Sequence, residues 1–96
     1  MSEWVEVKDI TGLGTQVLVG GMLLVSFTPE TDKEAIGRFV KLVEADDWNI
    51  LCICEAAKDK LEWNLANPGK GKDWPVFRQK EELVNRLLKE AGIEDN

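Results

Sequence analysis

Histidine and tyrosine are both absent from the chain. Without histidine, the usual general base, the commonest metal ligand and any Ser-His or Cys-His nucleophile are missing. Cysteine occurs only at Cys52 and Cys54, too few to close a four-ligand zinc site without other ligands. A Cys-X-Cys disulfide along an extended strand has awkward geometry. Both thiols are therefore expected to be reduced, buried and functionally silent. No apolar run approaches the roughly 20 residues that span a bilayer as a helix. The opening Met-Ser-Glu-Trp-Val-Glu carries acid where a secretory leader carries base. These absences lead to the expectation of no membrane, no cofactor, no metal and no enzymatic activity, with residence in the cytoplasm of a cell or of an infected one.

What is present suits a folded domain. The chain is 44% apolar and 31% charged, a balance that argues against global disorder. Its 96 residues show no repeat, linker or low-complexity tract, and suit a single domain, 1–96, with one modest core. The net charge is −6, which disfavours nucleic acid as the main partner because phosphate electrostatics dominate such binding. An acidic surface serves solubility first. It also fits a basic partner surface, or carboxylates placed where phosphates would lie.

The stretch from Met22 to Cys54 organises the rest. Met-Leu-Leu-Val-Ser-Phe (22–27) and Asn-Ile-Leu-Cys-Ile-Cys (49–54) are apolar at successive positions, as in strands buried on both faces. Between them Ala35, Ile36, Phe39, Val40 and Val43 recur with a helical period. Thr31 and Glu34 have capping-box spacing, and Thr28 with Pro29 offers a competing start. Gly37 in mid-helix implies close approach to the sheet. The helix is expected to stop at Ala45-Asp46-Asp47.

Upstream, Trp4-Val5-Glu6-Val7-Lys8-Asp9-Ile10 alternates as a half-buried strand with Val5 and Val7 inward. Trp4 then falls on the opposite face, exposed or covering a second surface. Gln16–Val19 follows, and Gly20-Gly21 marks either a type I′ hairpin or a bulge in one long strand. Downstream, Leu61, Trp63 and Leu65 alternate with polar residues, predicting an antiparallel strand near a sheet edge. Residues 66–73 form the longest loop. A last helix is expected over Gln79–Ala91, with Leu83, Val84, Leu87, Leu88 and Ala91 inward and Gly92 as its C′ residue. The order is β-β-β-α-β-β-α, an α+β fold. It comprises a small mixed, mostly antiparallel sheet of four to five strands with two helices on one face.

Candidate functional residues concentrate near the long loop. Gly69-Lys70-Gly71-Lys72 lacks the Walker pattern, although a glycine-rich backbone beside two lysines suits an anion. Lys70, Lys72, Trp74 and Arg78 set cations beside an aromatic. That combination serves single-stranded nucleic-acid contact and equally a protein–protein hot spot. Trp74-Pro75-Val76-Phe77 would alternatively staple the last helix to the core. Trp48 and Trp63 are assigned to core or strand-edge packing. Trp4 joins Lys70, Lys72, Trp74 and Arg78 as a candidate partner-binding residue.

These features lead to a non-enzymatic interaction module that inhibits or regulates a larger partner, another protein or a ribonucleoprotein, by surface binding. Small size, acidity and a mixed α+β pattern are shared by phage-encoded inhibitors of host defence, with no motif behind the likeness. A nucleic-acid contact protein and a small ligand-binding domain are the alternatives. Open sheet edges at the Gly20-Gly21 hairpin and at Leu61–Leu65, together with Trp4, lead to the expectation of a homodimer.

Overall fold

The computed structural model describes residues 3–93. Three strands come first: β1 (Val5–Ile10), β2 (Gly14–Val19) and β3 (Met22–Phe27). They form an antiparallel sheet in the order β1-β2-β3. Gly20 and Gly21 have φ of +60° and +83°, the positive values a two-residue I′ turn requires at both central positions. The hairpin is formed, and β2 and β3 are separate strands. Val17 pairs with Val25 and Leu18 with Leu23, so Leu24 is an extra residue in β3. This bulge bends β3 and lets Leu24 and Phe27 both be buried.

Three helices follow: α1 (Lys33–Ala45), α2 (Asp47–Ala66) and α3 (Pro75–Glu90). They cover one face of the sheet. Val17 and Val19 of β2 are fully buried beneath them, whereas Gln16 and Leu18 on the other face stay half-exposed. The core joins these valines and Phe27 to Ile36, Phe39 and Val43 of α1, Ile50 and Ile53 of α2, and Leu83 and Leu87 of α3. The described residues therefore form a small α+β fold of three strands and three helices, in place of four to five strands and two helices.

The main correction concerns α2. The expected strands at 49–54 and 61–65 are two parts of one 20-residue helix. Five successive apolar residues, Ile50 to Cys54, satisfy a doubly buried strand. They also fit a helix whose inner side holds Ile50, Ile53, Cys54 and Ala57, which are the residues buried here. The intervening Glu55–Lys60 contains no Gly or Pro and consists mainly of good helix formers, so nothing locally ends the helix. The alternation of Leu61, Trp63 and Leu65 is not a strand edge; all three are exposed on the helix surface.

Smaller differences have local causes. Asp32, not Thr31, caps α1, its Oδ1 accepting from the Glu34 N–H at 3.2 Å. Gly37 lies on the exposed side of α1 with nothing within 4 Å of a Cβ built there, so the expected close approach to the sheet is absent and the structure offers no reason for this glycine. Helix α3 starts at Pro75, four residues before the expected Gln79, because proline at N1 sacrifices no hydrogen bond. Its C-terminus is as expected. Gly92 has φ +80°, its N–H reaches Lys89 O at 3.1 Å, and Ile93 N–H reaches Leu88 O at 2.9 Å, the paired bonds of a Schellman motif. Arg38 Nε donates to Ala91 O at 2.9 Å and ties α1 to this end. Among the described residues no helix is long and apolar enough to cross a membrane.

Candidate functional site

The long loop is held, not free. Asn67 ends α2, its Nδ2 donating to Trp63 O at 2.7 Å, and Gly69 at φ +80° turns the chain back. Lys70 N–H closes the turn on Asn67 O at 3.0 Å. The returning chain then meets Asn64. Asn64 Oδ1 accepts from Lys72 N–H at 3.1 Å and from Trp74 Nε1 at 2.9 Å, while its Nδ2 donates to Lys72 O at 2.9 Å. One carboxamide thus fixes both the backbone of Lys72 and the indole of Trp74, using three of the four bonds it can make.

This clamp assembles an aromatic–cationic ridge. Trp63 and Trp74 pack edge to face, ring centroids 5.7 Å apart at 85°. Lys60 Nζ sits 4.5 Å from the Trp74 centroid, and Lys72 Nζ lies 5.5 Å from the Trp63 ring and 5.4 Å from the Trp74 ring. Each contact is within cation–π range and contributes about 0.5–1 kcal/mol at an exposed site. Arg78, on the first turn of α3, lines an open cleft of ≈ 210 Å³ with Asp73, Trp74, Gln79 and Glu82. That is below the roughly 300–1,000 Å³ of small-molecule sites and accommodates a single side chain. Leu61 and Leu65 add exposed apolar surface on α2.

Charge is segregated here. Residues 58–80 carry six Lys or Arg against three Asp or Glu, while the rest of the chain carries six against fifteen. Residues 58–80 are therefore net basic on an acidic protein, and they contain Trp63 and Trp74.

Of the expected partner residues, Lys72 and Trp74 are brought into contact, and Lys70 and Arg78 flank them on the loop and on α3. Trp74 is also half-buried and leads directly into α3, so it combines the staple and the surface roles. Trp4 is elsewhere. It turns onto the helix side of the sheet against Trp48, centroids 6.1 Å apart at 63°. Its Nε1 is buried without a hydrogen-bond partner among the described residues. Trp48 is 66% exposed, not core. Along α2 it lies about 22 Å from Trp63 at 1.5 Å per residue, so the two tryptophan pairs are separate features.

Lys60, Trp63 and Asn64 were not singled out by sequence reasoning. Their spacing with Asn67 is helical, at i, i+3, i+4 and i+7. Read as a strand, the same residues put Trp63 on the face opposite Lys60 and Asn64, which hid the cluster.

The cysteines divide. Residues two apart on a helix point to different sides, and Cys52 is exposed while Cys54 is buried, against the expectation that both are buried on one strand face. Burial pushes the Cys54 thiol up, opposed by Lys80 and reinforced by Glu55, so it stays protonated and unreactive near neutral pH. A thiol reagent on native protein is expected to modify Cys52 rapidly and Cys54 only after denaturation, read by mass spectrometry of the digested chain. Equal native labelling of both would contradict the placement of α2. Cys52→Ala should leave stability unchanged, whereas Cys54→Ala should cost about 1 kcal/mol through the void it leaves. Among the described residues no group of three or more His, Cys, Asp or Glu side chains is gathered as a metal site would need. Compared with protein-family models, curated proteins and solved structures, the chain matches none.

Proposed function

We propose that the protein is a non-enzymatic interaction module that docks on a larger macromolecule, a protein or a ribonucleoprotein, and inhibits or regulates it. The observation that carries this reading is the Trp63–Trp74–Lys60–Lys72 ridge, held by a single asparagine. Tryptophan beside a basic side chain is the composition of binding hot spots. Preorganisation by Asn64 lowers the ordering entropy that binding must otherwise overcome. The net-basic segment on an acidic body orients the encounter and favours an acidic patch on the partner. Surplus acid elsewhere keeps the protein soluble and repels nucleic acid in general. The module acts in the cytoplasm as a homodimer.

Nucleic-acid contact is the second reading, favoured by the lysines around the aromatic rings. Base stacking needs open aromatic faces, however, and here the rings are occupied by one another and by ammonium groups. A protein surface is the better match.

The test starts with capture of binding proteins from a lysate of the source cells or their host and identification of the retained chain. Titration of that purified partner follows. Lys70→Glu with Lys72→Glu is expected to weaken binding at least tenfold, about 1.4 kcal/mol, and to lower stability by no more than about 1–2 kcal/mol, the loss of the two cation–π contacts of Lys72. Unchanged affinity would remove the loop from the function. Electrophoretic binding to labelled single strands at low and high salt tests the second reading, because phosphate-driven binding falls steeply with salt.

A further inference from the structure

Strand β1 is one of the two edge strands of the sheet, β3 being the other, and all four of its central residues, Glu6 to Asp9, are exposed. Helix α2 lies over β2 and β3. Val7 faces the helix side, yet it is 46% exposed while Val17, directly opposite it on β2, is 0% exposed. The strand is regular throughout, without the bulge that distorts β3. Bulges and twisted edges block pairing with other chains, so β1 is the edge left open.

The hydrogen-bond parity of β1 is fixed. Gly20 N–H donates to Trp4 O at 2.9 Å, and the register continues through Glu6↔Leu18, Lys8↔Gln16 and Ile10↔Gly14. Antiparallel ladders alternate, so the N–H and C=O groups of Glu6 and Lys8 point at β2. Those of Val5, Val7 and Asp9 point away from the sheet. These three outward residues are symmetric about Val7.

We propose that β1 pairs antiparallel with β1 of a second copy about a two-fold axis at Val7, fusing two three-stranded sheets into one of six strands. In that register Val7 pairs with Val7 of the second copy and Val5 with its Asp9, closing six backbone hydrogen bonds. Glu6 falls opposite Lys8 of the second copy, and Lys8 opposite its Glu6. Both pairs occupy non-hydrogen-bonded positions, where side chains approach most closely. Sliding by two residues in one direction sets Glu6 against Glu6, and in the other Lys8 against Lys8. The charges therefore select one register. A two-fold interface must be self-complementary, and Val-Glu-Val-Lys-Asp is so in backbone and in charge. This interface rests on the homodimeric form proposed above and shares no residue with the Trp63–Trp74 ridge.

A six-residue strand pair buries little surface, so association belongs in the micromolar range. Sedimentation of the full chain from about 1 to 500 μM is expected to show a mass rising from 10.8 kDa toward twice that value. Glu6→Lys alone, or Lys8→Glu alone, turns both cross-strand pairs into like charges and is expected to raise the dissociation constant at least about tenfold. The combined swap restores opposite charges and is expected to restore the dimer. Val7→Pro removes an outward N–H that β2 does not use, a placement proline tolerates at sheet edges, and should give a folded monomer by circular dichroism. If that variant fails to fold, the two charge variants and their swap still decide. A dimer indifferent to the charge variants overturns this interface and leaves the homodimer standing. A wild-type chain that is monomeric throughout overturns both, and leaves the ridge untouched.

Discussion

Phe39→Ala is expected to remove about 3–5 kcal/mol of stability, the usual range for truncating a fully buried aromatic. Phe39 is 0% exposed and projects from α1 onto Phe27 of β3, edge to face, with ring centroids 5.3 Å apart at 83°. With Ile36 and Val43 it joins the first helix to the core beneath the sheet. Its loss removes apolar burial and an aromatic pair, and leaves a void between two elements that cannot both relax into it. Domains of this size hold only about 5–15 kcal/mol in total. At roughly 4–8 °C per kcal/mol, the melting temperature should fall by some 15–30 °C. Urea denaturation gives the cleaner number, with the midpoint lowered and the slope unchanged. Leu65→Ala is the control. At 72% exposure it should stay within about 0.5 kcal/mol of wild type. A Phe39→Ala protein within 1 kcal/mol of wild type would rule out the packing of α1 on β3.

The next largest effects separate the two tryptophans of the ridge. Trp74 is half-buried, donates its Nε1 hydrogen to Asn64 and leads into α3. Trp74→Ala should therefore cost about 2–4 kcal/mol of stability, somewhat less than a fully buried tryptophan, and should also loosen the loop. Trp63 is 38% exposed and lies on the solvent side of α2. Trp63→Ala loses chiefly the edge-to-face pair, about 0.5–1.5 kcal/mol. Its larger effect is expected in partner binding, weakened by at least about 2 kcal/mol, or roughly 30-fold. Chemical denaturation and titration of the captured partner, run on the same preparations, resolve the two. A Trp63→Ala variant that binds normally would show that the ridge is not the contact surface.

Several elements were legible because their signals are local. The alternation that marks β1, where Val7 faces the helix side as expected but stays 46% exposed, the two glycines at 20 and 21, the helical period from Ala35 to Val43 and the Gly92-Ile93 terminator each act within a few residues. A positive φ or a capping bond needs no distant partner to be specified. The prominence of Lys72 and Trp74 was legible in the same way, from two lysines, a tryptophan and an arginine set within nine residues, 70–78.

The region from Asp47 to Ala66 was not. A run such as Ile-Leu-Cys-Ile-Cys satisfies a period of two and a period of 3.6 equally well, since nearly every position is apolar. Only the tertiary structure decided that the side holding Ile50, Ile53, Cys54 and Ala57 is buried and that Cys52 is exposed. The same decision created the candidate site. Asn64 and Trp74 are ten residues apart and meet because α2 runs unbroken to Ala66 and the loop returns along it. Sequence by itself determined Lys72 and Trp74 as candidates; the continuous helix and the returning loop added Lys60, Trp63 and Asn64 and determined which of them touch, because hydrogen bonds and ring contacts between segments depend on three-dimensional placement that no local pattern encodes.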